Sequence, residues 1–353
     1  MEITQQIWGM TPQGEAIVLY TMTNTKGESV QLSNFGAAIV AINVADKDGK
    51  IEDVALGYTR WQDYVSDGPA AGKSVGRYAN RIARGRFTLE GTEYRLAVNN
   101  GPNHLHGGPS GFQNRVWQSR VEGGSRVVMS YVSAAGEEGY PAELGVEVCF
   151  DWDDNSVLEL TYMAGSDGPT IVNMTNHVYF NLKGDGEGTI EDHYLRLHAK
   201  EWLPTDSTQI PTGEIASVEG TPMDFTSWHT LGSRINDEFE ALKIGKGYDH
   251  CWAIDSYKRG RIHPAAELYE PTSGRKVTIV TSQPGIQVYT GNWLSGSPMG
   301  KHGEYQDRSA VALECQAFPD SPNKPNFPSC ALHKGQLYEQ HIIYRFTAES
   351  SLD

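Results

Sequence analysis

Val146-Glu147-Val148-Cys149-Phe150-Asp151-Trp152 decides the fold class of this chain. Successive side chains of an extended chain point to opposite faces, so Val146, Val148, Phe150 and Trp152 share one apolar face. The pattern repeats just downstream in Leu158, Leu160 and Tyr162, upstream in Tyr94, Leu96 and Val98, and near the C-terminus in Ile342, Tyr344 and Phe346. Alternation of β-branched and aromatic residues describes half-buried strands. Asp48-Gly49, Glu90-Gly91 and Ser273-Gly274 supply turns between them, and 38 glycines suit a chain that reverses often. Helical periodicity is scarce, with one short helix expected near Asp237 to Lys243. No Gly/Ser-rich or Pro-rich linker and no fixed repeat divides the chain. The expectation is one all-β domain over residues 1–353, a large antiparallel β-sandwich with few short helices, its last segment completing the sheet system.

The 353 residues include 39% apolar and 21% charged residues, the composition of a globular protein. Acidic residues outnumber basic ones 44 to 29, a formal charge of −15. That balance argues against nucleic acid or an anionic membrane as partner, each of which calls for a basic surface, and suits a neutral small molecule. No apolar run approaches the roughly 18 residues needed to span a bilayer. The first residues, Met1-Glu2-Ile3-Thr4-Gln5-Gln6, carry no basic start followed by a hydrophobic run. Cys149, Cys251, Cys315 and Cys330 are scattered without a CxxC pair, so reduced thiols and a cytoplasmic location are expected.

Several stretches carry candidate chemistry. Within Val172-Asn173-Met174-Thr175-Asn176-His177-Val178-Tyr179-Phe180-Asn181-Leu182 a histidine sits among apolar, aromatic and amide side chains. Two readings are open: a hydrogen-bonded core imidazole, or a partly desolvated proton-transfer group. Ala312-Leu313-Glu314-Cys315-Gln316 places a glutamate in an apolar strand, where it must be paired or have a raised pKa. A structural salt bridge is the alternative. Asn103-His104-Leu105-His106-Gly107-Gly108 would, as a strand, aim both histidines one way. A metal pair is conceivable there but lacks a third ligand at a recognisable spacing, and a loop presenting one histidine at a cleft is the better functional reading. Its paired glycines allow close backbone approach. Ser74 to Gly85 is arginine-rich for so acidic a chain. It reads either as a solvated basic loop or as an Asn80–Arg81 pair that donates to ligand hydroxyls. Gly247-Tyr248-Asp249-His250 sets a carboxylate beside aromatics. Gly72-Lys73-Ser74 is not a phosphate loop, because Asp67 stands where that motif needs glycine.

Taken together, Gly76-Arg77-Tyr78-Ala79-Asn80-Arg81-Ile82-Ala83, Asn103 to Gly108, Thr175 to Leu182, Tyr248-Asp249-His250, Gly285-Ile286-Gln287-Val288-Tyr289-Thr290-Gly291-Asn292 and Leu313-Glu314-Cys315-Gln316 with Pro319-Asp320 resemble the aldose 1-epimerase (galactose mutarotase) family, in the family's order. The resemblance implies a β-sandwich of the galactose mutarotase type, a supersandwich. It implies Glu314 as general base, His177 as general acid and His106 as a supporting active-site histidine. Asn80, Arg81, Asp249 and Gln287 fall on ligand-holding positions. His104 matches no family role, and Cys315 and Ala317 depart from the commoner family residues while leaving the glutamate in place. The implied substrate is a free sugar such as galactose or glucose, with no cofactor or metal required, and the expected assembly is a monomer or a weak dimer.

Anomer interconversion needs one base for the C1 hydroxyl proton and one acid for the ring oxygen, expected on opposite sides of the C1–ring-oxygen bond. A glycosidase would instead use two carboxylates flanking a scissile bond. Two rivals remain at this level. A non-catalytic sugar-binding module would keep Arg81 and Asp249 but have no use for the Glu–His pair. A hexose 6-phosphate epimerase would need an anion site, for which Arg77 and Arg84 are available. Aromatic side chains would stack on the sugar's apolar face, and the sequence singles none out.

Overall fold

The computed structural model describes residues 1–65 and 67–352. Strands dominate, in three main antiparallel sheets. The largest has nine strands, in the order Gln118–Glu122, Arg126–Ser133, Leu144–Trp152, Val157–Ser166, Tyr338–Ala348, Arg275–Thr281, His263–Tyr269, Tyr194–Leu197 and His229–Thr230. The C-terminal strand is thus the middle one, so the end of the chain locks the sheet.

The alternation of the sequence appears here as columns of side chains. Val148 lies opposite Tyr162, Phe150 opposite Leu160 and Trp152 opposite Leu158. Leu158 and Leu160 in turn lie opposite Tyr344 and Ile342. All are buried in one apolar cluster. Burying each such side chain fully stabilises the fold by roughly 1.5–3 kcal/mol, so a one-residue slip would reverse many such terms together.

Against this sheet lies a six-stranded one, ordered Tyr179–Phe180, Val311–Gln316, Gly285–Tyr289, Asp249–Ala253, Glu201–Trp202 and Ala216–Ser217. Its Trp252, Ile286, Val288, Val311, Leu313 and Cys315 enter the same cluster. The N-terminal five-stranded sheet, which runs from Glu2–Met10 to Ile51–Asp53, adds Val30, Leu32, Ile39 and Ile42. The expected antiparallel sandwich is therefore present.

The expected turns fall where placed. Glu90 and Gly91 have φ of 49° and 80°, the paired positive values of a tight hairpin turn between Arg86–Leu89 and Thr92–Arg95. One local expectation fails and another holds with shifted bounds. The strand expected through Val98 ends at Arg95, where the Leu96 N–H turns to the Gly85 carbonyl, and Val98 is 56% exposed. The helix spans Glu240–Gly245 rather than Asp237 to Lys243, because Asp237 and Phe239 close tight turns onto Arg234 and Asp237 before it begins.

Candidate active site

On the strands of the six-stranded sheet, the side chains that do not enter the core point to the opposite face. Gln287 lies directly opposite Glu314, and Tyr289 lies opposite both Asp249 and Ala312. Tyr179 pairs with Ala312 from the other side. Period-two alternation thus gathers one glutamate, one aspartate, one glutamine and two tyrosines on one patch, with apolar neighbours anchoring each strand from beneath. The patch floors a cavity of about 440 Å³, whose walls include Asn80, Arg81, His106, His177, Gln209 and Trp293.

His177 is held by backbone on both sides. Its N–H donates to the Lys73 carbonyl at 2.9 Å, and its carbonyl accepts from the Gly72 N–H at 3.0 Å. The adjoining Thr175–Asn176 pairs with Ser74–Val75, and the Asn176 amide donates to the Gly72 carbonyl. The amides of this segment therefore satisfy the backbone of an irregular crossing, which frees the imidazole to face the cavity. The ring stacks on Tyr179 with centroids 4.8 Å apart, and the Tyr179 hydroxyl is tied to the Pro69 carbonyl.

His177 Nε2 lies 3.4 Å from Glu314 Oε1, and both residues are buried. Burial pushes the Glu314 carboxyl well above the ordinary carboxylate range. The nearby Asp249 charge pushes the same way, and the Arg81 guanidinium opposes. Burial lowers the His177 imidazole to about 4, against the pull of Asp249. Glu314 Oε2, His177 Nδ1 and Gln287 Oε1 have no hydrogen-bond partner in the protein. Buried polar atoms left unpaired on one cavity wall are costly for folding and suited to binding a polyhydroxylated ligand.

The facing wall is a pair of short strands, Arg81–Ile82 and His104–Leu105. Gly107 permits the approach: a Cβ there would sit 2.0 Å from the Gly76 carbonyl oxygen. The strand stops before His106, whose φ is 51°, so the two histidines do not point the same way. His104 turns into the protein, with Nδ1 2.7 Å from the Ala97 carbonyl and Nε2 2.6 Å from the Tyr140 hydroxyl. His106 turns to the cavity, where Nδ1 accepts the Asn80 N–H at 3.0 Å. That contact fixes a neutral ring with its proton on Nε2.

Around them runs a polar chain. Arg81 donates from Nε to Asn100 Oδ1 at 3.0 Å and from Nη2 to Gln209 Oε1 at 2.8 Å. Gln209 Nε2 donates to Asp249 Oδ2 at 2.8 Å, and Gln287 Nε2 donates to Asp249 Oδ1 at 2.7 Å. Of the seven site residues expected from sequence, Glu314, His177, His106, Asn80, Arg81 and Asp249 line one cavity, and Gln287 lies behind Asp249, to which it donates. Asn100 and Gln209 were not foreseen, and the expected aromatic lining consists of Tyr179, Tyr289 and Trp293. The first two sit in loops, where no periodicity marks them.

His106, His177 and Glu314 offer atoms within 4.8 Å of one another, a spacing that could hold a metal ion. The hydrogen bonding does not fit one. A ligating imidazole ordinarily donates its second N–H to an acceptor, whereas His106 Nδ1 faces a donor, the Asn80 N–H. Neither arginine considered for a phosphosugar's anion site serves one here. Arg77 is buried and donates to the carbonyls of Pro141, Ala142 and Ser133 and to two hydroxyls, while Arg84 is exposed and lies off the cavity lining. Lys73 is buried too, paired with Asp67 at 2.5 Å.

The model for the aldose 1-epimerase family matches residues 18–345. A galactose mutarotase from Bos taurus is 40% identical over 348 residues, covering 98% of this chain and 99% of its own. An aldose 1-epimerase from Escherichia coli K12 is 36% identical over 342 residues, covering 96% and 98%. Among solved structures, a GalM/aldose epimerase homologue from C. elegans superposes with a TM-score of 0.86 at 31% identity, covering 94% of this chain and 99% of its own. Fold, motif order and full-length similarity agree, and the chain belongs to the aldose 1-epimerase family, isomerases that interconvert sugar anomers.

Proposed function

We propose that this protein interconverts the α and β anomers of free hexoses such as galactose and glucose, with Glu314 as base and His177 as acid. The observation that carries the assignment is the buried Glu314–His177 pair, 3.4 Å apart on the wall of a cavity rich in hydroxyl-binding groups. As carboxylate, Glu314 takes the C1 hydroxyl proton. His177 Nε2 gives a proton to the ring oxygen as the bond between that oxygen and C1 breaks. The electron pair leaves on the ring oxygen, and C1 becomes an aldehyde. Rotation about C1–C2 presents the other face, and closure returns both protons.

The pair was expected to flank the C1–ring-oxygen bond. At 3.4 Å from each other, the two groups are close enough for each to serve one of the two oxygens on C1. That arrangement serves the chemistry, because the hydroxyl and ring oxygens are borne on the same carbon. The pair holds one proton before and after reaction. Burial favours its neutral form, carboxylic acid beside imidazole, and the working ionic form differs only by one proton moved across the contact.

Arg81, Asn80, Asp249 and Gln287 would hold the hydroxyls, and the aromatic walls Tyr179 and Tyr289 would meet the sugar's apolar face. His106, fixed as a neutral Nε2–H donor, supports a sugar oxygen rather than exchanging protons. No metal or other cofactor enters this scheme. Four unpaired cysteines favour the reducing cytoplasm as its location. The test is polarimetry of freshly dissolved α-D-galactose and α-D-glucose. The expected result is acceleration well above the spontaneous rate, and galactose binding without acceleration would defeat the assignment.

A further inference from the structure

We infer that Gln209 is a positioning residue that keeps Arg81 and Asp249 apart as two independent hydroxyl-binding groups. The inference rests on the reading of those two residues as sugar contacts. Arg81 and Asp249 carry opposite charges on the walls of one cavity, yet no direct ion pair forms between them; the Gln209 carboxamide stands between, accepting from Arg81 and donating to Asp249, each at 2.8 Å. A carboxamide does both while staying uncharged at every working pH.

The spacing has a consequence for binding. Asp249 accepts two hydrogen bonds, from Gln209 and Gln287, and a carboxylate has about four acceptor sites, so two remain for hydroxyls. Arg81 spends Nε and one N–H of Nη2 on Asn100 and Gln209, and Nη1 makes no bond to a described residue. A direct Arg81–Asp249 pair would be a strong, two-pronged contact and would withdraw both groups from a ligand.

The backbone shows that Gln209 is placed rather than incidental. It adopts φ of 66°, unusual for a residue other than glycine. The turn that holds it is tied down by Asp206, whose Oδ1 accepts from the N–H groups of Thr208 and Ile210 and from the Thr208 hydroxyl. The Asn103 amide then docks the Thr208 carbonyl beside the wall that bears His106. The charged groups facing the amide are Arg81 and Asp249. Asp206 lies on its own turn, and His106, His177 and Glu314 line the same cavity.

The experiment compares galactose anomerisation by the wild type, Gln209→Ala and Gln209→Glu, with galactose affinity measured by calorimetry on each. Gln209→Ala should raise KM and the calorimetric Kd about tenfold while kcat stays within about threefold, because the lost interaction is one of binding rather than of proton transfer. Gln209→Glu separates positioning from mere structure. Near pH 8 the introduced carboxylate repels Asp249, and KM should match that of Gln209→Ala. Near pH 5 the introduced carboxyl, held against the Asp249 carboxylate, should take up a proton, and a protonated carboxyl reproduces the amide by donating to Asp249 and accepting from Arg81. Its KM, taken relative to the wild type at each pH, should then return to within about threefold of one. Unchanged KM in Gln209→Ala, or no recovery of Gln209→Glu in acid, overturns the role of Gln209 and leaves the enzyme assignment standing. A wild type that neither binds nor anomerises galactose overturns both.

Discussion

Replacing Glu314 with Gln tests the chemistry and the energetics of the site at once. The amide keeps the shape of the carboxyl and its place 3.4 Å from His177 Nε2, but it cannot accept a proton. General-base catalysis contributes about 10²–10⁴-fold, so kcat should fall by that factor, or roughly 2.7–5.4 kcal/mol of barrier. Arg81, Asp249 and Gln287 are untouched, so KM should move little. The same substitution should stabilise the fold at neutral pH. A carboxyl whose pKa is raised on folding contributes stability that is fully present below its unfolded value of about 4.5 and is lost as pH rises through the folded value. Above that range each unit of the raise costs about 1.4 kcal/mol, and the amide, which does not titrate, escapes it. For a chain of this length 1 kcal/mol corresponds to roughly 1–2 °C of melting temperature. Polarimetry and thermal unfolding should therefore show an enzyme that is nearly inactive and, at pH 7–8, more stable than wild type, with the stability difference closing as pH falls to 4. A variant retaining a tenth or more of wild-type kcat would refute the base. A variant less stable at neutral pH would show that the resting pair is ionic and that burial does not dominate it.

The pH profile of kcat/KM should be broad: activity falls as pH drops towards about 4, where His177 gains the pair's second proton, and again as pH rises through the raised Glu314 value, where the pair releases its last one. An acid limb near the ordinary imidazole value of about 6.5 would contradict the desolvation of His177. Galactose 6-phosphate should compete no more tightly than galactose, because Arg77 and Lys73 are sequestered by protein carbonyls and by Asp67; inhibition much tighter than galactose would restore the phosphosugar reading. Arg77→Leu should lower stability by about 3 kcal/mol or more, since the buried Ser133 carbonyl and the half-buried Pro141 and Ala142 carbonyls lose their donor, while a chemical-denaturation shift under about 1 kcal/mol would show that solvent replaces it.

What could be read in the sequence was whatever depends on strand period. Val148, Phe150, Leu160 and Ile342 sit where alternation puts them, and Glu314 and Gln287 emerge on the reactive face by the same rule. Alternation failed wherever one residue left the extended region. A strand through His104 and His106 would set the two rings side by side; as in the preferred loop reading, a left-handed His106 instead sends one ring into the protein and the other into the cavity. Val98 failed when its strand ended early at Arg95. Gln209 and Asn100 carry no local signal at all. Their roles come from what Arg81 meets across 128 and 19 residues of chain, a property of loop closure and not of composition.

The division of labour within the cavity explains how one site can serve two anomers. Substrate and product differ only at C1, so a wall that gripped C1 firmly in one configuration would penalise the other and slow one direction. Of the groups assigned to hold the remaining hydroxyls, Arg81, Asp249 and Gln287 are already joined into one chain through Asn100 and Gln209, and so are preorganised. The groups assigned to C1 are those the protein leaves underbonded, Glu314 Oε2 and His177 Nδ1 among them. A stiff frame for the unchanging part of the sugar and a sparsely bonded acid–base pair at the changing carbon leave both configurations comparably placed. The pair's single proton count, restored after each ring closure, then lets the same two residues run the reaction in either direction.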